Sequence, residues 1–200
     1  RQIESVKPED ERYVNALMAR SNLLNLCGTF PQMKFIIFTN LEDTPIDDFI
    51  LNKIPENVAC ISAVNAITHN DIVIPAPYGV QRRMTPDDDR IEQLTEWMEF
   101  DNKDNPDNLL YVSHNENSNA RRLGIRNLFY DKDWAEVNEQ RVSYHNFLSN
   151  LSNSKFMICP VGNAIDCHRN WEVLYMRRVP IMTRDPYLQK LFENYPVLFV

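Results

Sequence analysis

Short apolar runs of strand-forming residues alternate along the chain with segments whose apolar positions recur at helical spacing. Lys34 to Thr39 (KFIIFT), Val58 to Ser62 and Ile72 to Ile74 are the first three predicted strands. Leu109 to Ser113 (LLYVS), Lys155 to Cys159, Val179 to Met182 and Val197 to Val200 are the later ones. Helical spacing predicts helices over residues 9–26, 87–100, 120–130, 138–150, 167–177 and 187–193. Another is predicted from Pro45 to Leu51, with Thr44 as N-cap and Pro45 at the first helical position. Strand, helix, strand repeated in this way is the rhythm of a parallel sheet, so the fold class is α/β.

Between the two groups of strands the text changes. Pro75, Pro77, Gly79 and Pro86 fall close together, a stiff, turn-rich stretch that suits a boundary. The expected organisation is an N-terminal half over 1–80, a linker helix and loop over 81–108, and a C-terminal half over 109–200.

Composition narrows the function classes. With 200 residues and 44% hydrophobic content the chain can bury a substantial core. A net charge of −7 argues against nucleic acid as a partner. No run is long enough to span a membrane. Arg1 is no natural start, so the chain reads as trimmed. The four cysteines lack metal-finger spacing and read as free thiols, which points to a reducing compartment. Asp87-Asp88-Asp89 reads as an acidic helix start rather than a metal-binding pair.

The most informative stretch is Ser154 to Met182, SKFMICPVGNAIDCHRNWEVLYMRRVPIM. It reads as strand, polar turn, helix, strand. The turn and first helical residues place Asp166, His168, Arg169 and Glu172 beyond the carboxyl end of a strand, where doubly wound sheets bind ligands. Helix N-terminal amides favour a phosphate, Arg169 could add a bidentate contact, and Glu172 lies within reach of sugar hydroxyls. The competing reading is structural: Asp166 caps the helix, Arg169 and Glu172 form an i,i+3 ion pair, and Trp171 packs.

This stretch resembles the donor-binding signature of exostosin-like (GT47-type) glycosyltransferases, which large DNA viruses of algae also encode. The shared pattern is an S-K-F strand, a P-x-G-N turn, a D-x-x-R-x-W-E helix and a V/I-P-I strand. IVIPAPYGV and LLYVSHNENSNARRLGIRNLF resemble the family's upstream segments, so the likeness covers about residues 58–200. His114, Ala164 and Arg177-Arg178 depart from the pattern.

The resemblance implies a GT-B arrangement of two Rossmann-like halves, the first of them short or trimmed. It implies inverting transfer from a nucleoside-diphosphate sugar, UDP-linked (UDP-xylose is an example), to a carbohydrate acceptor, without metal or other cofactor. Arg121 or Arg122 would face the diphosphate alongside Arg169. Ser154, Pro160, Gly162 and Asn163 would shape the pocket floor, with Asp166 and His168 at the donor site and Glu172 on the ribose. The base that takes the acceptor's proton would come from the first half, with His69 and Asp71 as candidates. The compartment would be host cytoplasm for a viral version and the Golgi lumen for a trimmed eukaryotic one. Two alternatives stand beside this reading: a nucleotide-sugar hydrolase or epimerase, and a nucleotide- or glycan-binding domain without turnover.

Overall fold

The computed structural model describes residues 20–39, 45–68, 70–81, 89–100 and 105–200. The chain forms two compact units that divide between Pro77 and Tyr78. Each carries its own parallel sheet, so the α/β reading with Rossmann-like sheets holds.

The first unit contains helix α1 (Arg20–Thr29), strand β1 (Phe35–Phe38), helix α2 (Asp48–Leu51), and strands β2 (Val58–Ala63) and β3 (Val73–Pro75). Its sheet has the order β1-β2-β3, all parallel. Phe35, Ile37, Val58, Ile61, Ala63 and Val73 point into its core. The Asn57 side chain ties the end of α1 to the sheet by donating to the carbonyls of Cys27, Phe30 and Met33 at 2.9, 2.9 and 3.0 Å.

Pro45 does not open a helix. Ile46 stays extended and bridges to Ala66, with Ile46 N–H donating to Asn65 and Ile67 N–H donating back to Ile46. The helix therefore starts one residue after Asp47, whose carboxylate accepts from Ile50 N–H at 3.0 Å. Thr44 and most of the helix predicted over 9–26 lie outside the described residues. The part that is described, α1, runs through Gly28 to Thr29 rather than stopping before it.

The second unit is built from helix α3 (Arg90–Phe100), strands β4 (Asn108–Val112) and β5 (Ala135–Val137), helix α4 (Tyr144–Ser152) and strand β6 (Ser154–Cys159). Helix α5 (His168–Tyr175), strand β7 (Val179–Met182), helix α6 (Pro186–Leu191) and strand β8 (Leu198–Phe199) complete it. The five strands are parallel in the order β5-β4-β6-β7-β8. Counted within the unit this is 2-1-3-4-5, the flavodoxin-like form of the doubly wound fold. Strand order reverses between β4 and β6, and the loops leaving their carboxyl ends open a crevice there. Tyr111, Val112, Leu148, Leu151, Met157 and Val173 are fully buried around these two strands. Helix α3, read from sequence as part of a linker, belongs to this unit: Leu94 is buried and the helix packs on α4 and α5.

Two predicted helices are shorter or absent, for local reasons. Residues 120–130 form 3₁₀ turns, not an α-helix, because the Asn115 and Asn119 side chains take the N–H groups of Asn117 and Arg121 and Gly124 sits at φ +76°. Helix α4 begins at Tyr144, not near Asn138, since residues 135–137 are drawn into the sheet as β5 and Ser143 caps the helix. Strand β5 has only three half-buried residues, too few to produce an alternating signal.

Helix α5 buries four successive residues, Asn170 to Val173, so it is enclosed on more than one face. It closes with a Schellman motif: Arg177 N–H donates to Leu174 and Arg178 N–H to Val173, at 2.9 and 3.0 Å. Arg177 takes the left-handed conformation there, φ 55°, with its side chain exposed. Arg177→Gly is therefore expected to stabilise the protein by about 1 kcal/mol, read as a higher urea midpoint at constant slope. A lower midpoint would show that the arginine side chain holds the turn.

Candidate functional site

The site grows from the strand reversal. Strand β4 delivers Ser113 and His114 into its loop, and β6 delivers Pro160, Val161 and Gly162 into the neighbouring one. Arg122 joins the two. Its guanidinium donates to Pro160 O at 2.8 Å and Val161 O at 2.8 Å across the crevice, and to Ser118 Oγ at 2.8 Å and Asn115 O at 3.2 Å in its own loop. Asn119 Nδ2 takes the next carbonyl, Gly162 O, at 2.8 Å. Three consecutive carbonyls are thus held by two side chains one 3₁₀ turn apart. Gly162 is required by this approach, since a Cβ there would stand 2.9 Å from Arg122 Nη2.

A second set of contacts fixes the start of α5. Asp166 is 0% exposed and accepts from Tyr78 N–H at 2.7 Å, Asn170 Nδ2 at 2.8 Å and Trp171 Nε1 at 2.8 Å. Burial pushes its pKa up, opposed by the Trp171, Tyr78 and Asn170 donors. The residue that precedes α5 as its N-cap is Cys167, without a side-chain cap bond. His168 Nδ1 lies 2.7 Å from Gly79 O, and its ring meets Tyr78 edge-on at 4.6 Å. Asp166 and His168 together pin residues 78–79 to the helix.

Arg169 points differently. Its guanidinium lies over the Phe147 ring, 3.7 Å from the centroid, and 3.5 Å from Glu172. Nη1 makes no hydrogen bond. Glu172 is 3% exposed and hydrogen-bonded with the Tyr144 hydroxyl. Burial and the Glu172 charge raise the Tyr144 pKa, which keeps that hydroxyl protonated as a donor. Phe147 and Tyr144 stack at 5.8 Å. The i,i+3 ion pair of the structural reading is present, made through Nη1, and the Arg169 cation is held in place from both sides, by Phe147 and by Glu172.

Arg169 lines a cleft of about 750 Å³ together with Arg90, Arg126, Arg141, His114 and Tyr144, among others. That volume is in the range of small-molecule sites. Glu116 and Glu139 also line it, so the cations outnumber the carboxylates. Arg126 donates to the carbonyls of Glu139 (2.8 Å) and His114, and its Nε is buried without a partner. A smaller recess of about 160 Å³ adjoins, sharing Ser113, His114 and Arg169 with the cleft. Such a cleft can bind an anion whose remainder carries neutral polar groups. Among the described residues no cluster of three His, Cys, Asp or Glu could hold a metal, and no helix is long and apolar enough to cross a membrane. All four cysteines are free thiols.

The residues expected at the site divide. Pro160, His168, Arg169 and Arg122 line the recess, and Gly162 supports it. Arg122, expected on a diphosphate, spends its donors on the two loops. Arg121 is exposed and Asn163 is exposed, and neither lines the cleft or recess. Glu172 does not line them either. Ser154 is the first residue of β6, its hydroxyl turned to Asn150 O at 3.0 Å. At about 3.3 Å per residue it stands a strand's length from the crevice. Asp71 is an exposed turn residue at the amino end of β3, the edge opposite to the one where such sheets bind ligands. His69 lies outside the described residues.

Sequence reasoning passed over His114, Tyr144, Phe147 and Asn119. The first follows β4 at the reversal and was findable once the strand order was known. The Tyr144 and Phe147 pair, spaced i,i+3 on α4, reads equally well as core. No protein-family model matches the chain, and no curated protein matches it.

Two expectations test this geometry. Arg122→Ala should cost roughly 2 kcal/mol or more, because it strips donors from buried carbonyls, whereas Arg121→Ala should stay within about 0.5 kcal/mol. Gly162→Ala should destabilise the native protein and cost less in an Arg122→Ala background; an additive double mutant would disprove the close approach. The second expectation concerns pH. Burial holds the His114 pKa below its usual value, with further lowering by Arg126 and Arg122 and opposing effects from the Arg122 carbonyl and Glu116. The unfolded state then takes up the proton first, so stability should fall as pH drops from about 6.5 through the folded pKa, and this group should have no effect well above about 6.5. Urea titrations at several pH values should show this loss in the wild type and a smaller one in His114→Gln.

Proposed function

We propose that the second unit is the nucleotide-binding half of an inverting glycosyltransferase of exostosin-like type, acting on a UDP-linked sugar and a carbohydrate acceptor in a GT-B arrangement. The observation that carries this reading is Arg169. Its guanidinium is stacked on Phe147, steered by Glu172, and set at the strand reversal beside Arg90, Arg126 and Arg141. A preorganised cation in a partly water-excluded cleft favours a diphosphate. It also stabilises the negative charge that grows as a nucleoside diphosphate departs. Arg122 and Asn119 serve by holding the loop beneath it. Glu172 orients Arg169 and Tyr144 from its buried position. The motif resemblance over Ser154 to Met182 supports the choice of a sugar nucleotide over other anions.

The proton-accepting base belongs, on this reading, to the first unit, where His69 remains the candidate and Asp71 draws no support from its position. That placement favours the second reading, nucleotide binding without transfer. Release of UDP from a UDP-sugar only when acceptor is present separates the two.

The direct test is thermal unfolding with UDP, GDP, ADP and CMP sugars. A ligand at a hundredfold excess over its Kd adds about 2.7 kcal/mol of stability. A UDP-sugar should raise the wild-type Tm, and Arg169→Ala should remove that rise while leaving the ligand-free Tm within a few degrees. Glu172→Ala should lower the ligand-free Tm as well, because it leaves the half-buried Tyr144 hydroxyl without its acceptor. No rise with any nucleotide would end this reading.

A further inference from the structure

The recess beside the cleft has a chemistry of its own. The cleft is rich in arginine. The recess is lined by Ser113, His114, Ile158, Cys159, Pro160 and Cys167, with Arg122 and the Nδ1 of His168 already engaged and Arg169 at its junction with the cleft. Burial raises the pKa of both thiols, Cys167 to about 11, so neither contributes charge at neutral pH. At about 160 Å³ the space exceeds the roughly 30 Å³ share of one water several times over. An anionic group belongs in the cleft, and a neutral polar group in the recess.

His114 supplies the recess with a defined hydrogen-bonding atom. The residue is 8% exposed and lines both spaces. Nε2 lies 3.3 Å from Arg122 O. A carbonyl can only accept, so in the neutral ring the proton sits on Nε2 and Nδ1 carries a bare lone pair. Nδ1 is buried and has no hydrogen-bond partner. An acceptor left in that condition is costly unless a donor reaches it. Neighbouring guanidinium groups do not reach it: Arg122 is engaged by carbonyls and Ser118, and the two Nη atoms of Arg126 by the carbonyls of Glu139 and of His114 itself.

We propose that the recess is the subsite for an uncharged, hydrogen-bond-donating part of the ligand, and that His114 Nδ1 is the specificity-determining acceptor for its O–H or N–H. This rests on the nucleotide reading of the cleft. Two parts of a sugar nucleotide offer such a donor, the nucleoside and the transferred sugar, and both share the chemistry that Nδ1 selects.

Two conservative variants separate the two nitrogens. His114→Gln places an amide where Nε2 stood, keeping the bond to Arg122 O and deleting Nδ1. His114→Asn does the reverse. Calorimetric titration of wild type and both variants uses inorganic pyrophosphate, UDP and UDP-glucose, with the ligand-free Tm recorded for each. The expected result is a roughly tenfold weaker Kd for His114→Gln, near wild-type affinity for His114→Asn, and unchanged pyrophosphate binding in both. A loss already present with UDP assigns the donor to the nucleoside, and one confined to UDP-glucose assigns it to the sugar. Equal loss with pyrophosphate, or loss in His114→Asn but not in His114→Gln, would overturn the proposal and leave His114 a holder of the Arg122 loop. Undiminished binding in both variants would overturn it too. Failure of wild type to bind any of the three ligands would instead overturn the nucleotide reading of the cleft itself.

Discussion

The hydrogen bonds from Arg122 to Pro160 and Val161, with Asn119 on Gly162, hold together the two loops at the strand reversal. Parallel strands that are neighbours in the sheet but distant in sequence leave their following loops unconnected. Here β4 and β6 are separated by β5 and α4, and each loop carries backbone groups that the sheet no longer satisfies. A guanidinium suits this gap because its planar donors reach several carbonyls at once, which a lysine could not do. The cost is a residue without a side chain at Gly162, where Arg122 passes. Everything that faces the crevice depends on that fixed pair of loops, including the ring of His114, whose Nε2 is oriented by the carbonyl of Arg122 itself.

Helix α5 adds a second layer of constraint. A buried carboxylate with three N–H donors, Asp166, fixes the helix start against residue 78, while the Trp171 ring packs between Phe192 and Tyr195 at 4.7 and 5.6 Å. With the helix immobilised on that side, Arg169 and Glu172 emerge on the other, between α4 and the cleft. The D-x-x-R-x-W-E pattern thus divides its labour by burial. Asp166 and Trp171 are packing and hydrogen-bonding anchors, Glu172 is a buried orienter, and Arg169 is the one that meets solvent space. A motif that reads as a single binding signature is mostly the scaffold for one cation.

Much of the fold was legible from local pattern. Strands β1, β2, β4, β6 and β7 are apolar runs with few alternatives, and α5 and α6 carry enough periodicity to be placed within a residue or two. The misreadings share a cause. At Pro45, at residues 120–130 and at residues 138–142, side chains or sheet edges compete for backbone groups that helical spacing assigned to a helix. Ile46 bridges to Ala66, Asn115 and Asn119 cap 3₁₀ turns, and β5 joins the sheet edge. The bridge of Ile46 and the pairing of β5 depend on partners distant in sequence, and the Asn115 and Asn119 turns on side-chain competition for backbone N–H groups; hydrophobic periodicity registers neither.

The sequence by itself determined an α/β chain with parallel strands, a turn and helix after β6 suited to anions, and the identity of Arg169 as the cation there. Tertiary structure alone decided which neighbours those residues meet. It turned Arg122 from a presumed ligand contact into a clamp and sank Glu172 beneath Tyr144. It set Ser154 at the far end of its strand and left one nitrogen of His114, a residue lining the recess, without a donor. The reason is that a residue's type and spacing fix what it can bond to, whereas burial and the competing carbonyls of a folded crevice fix what it has left to offer.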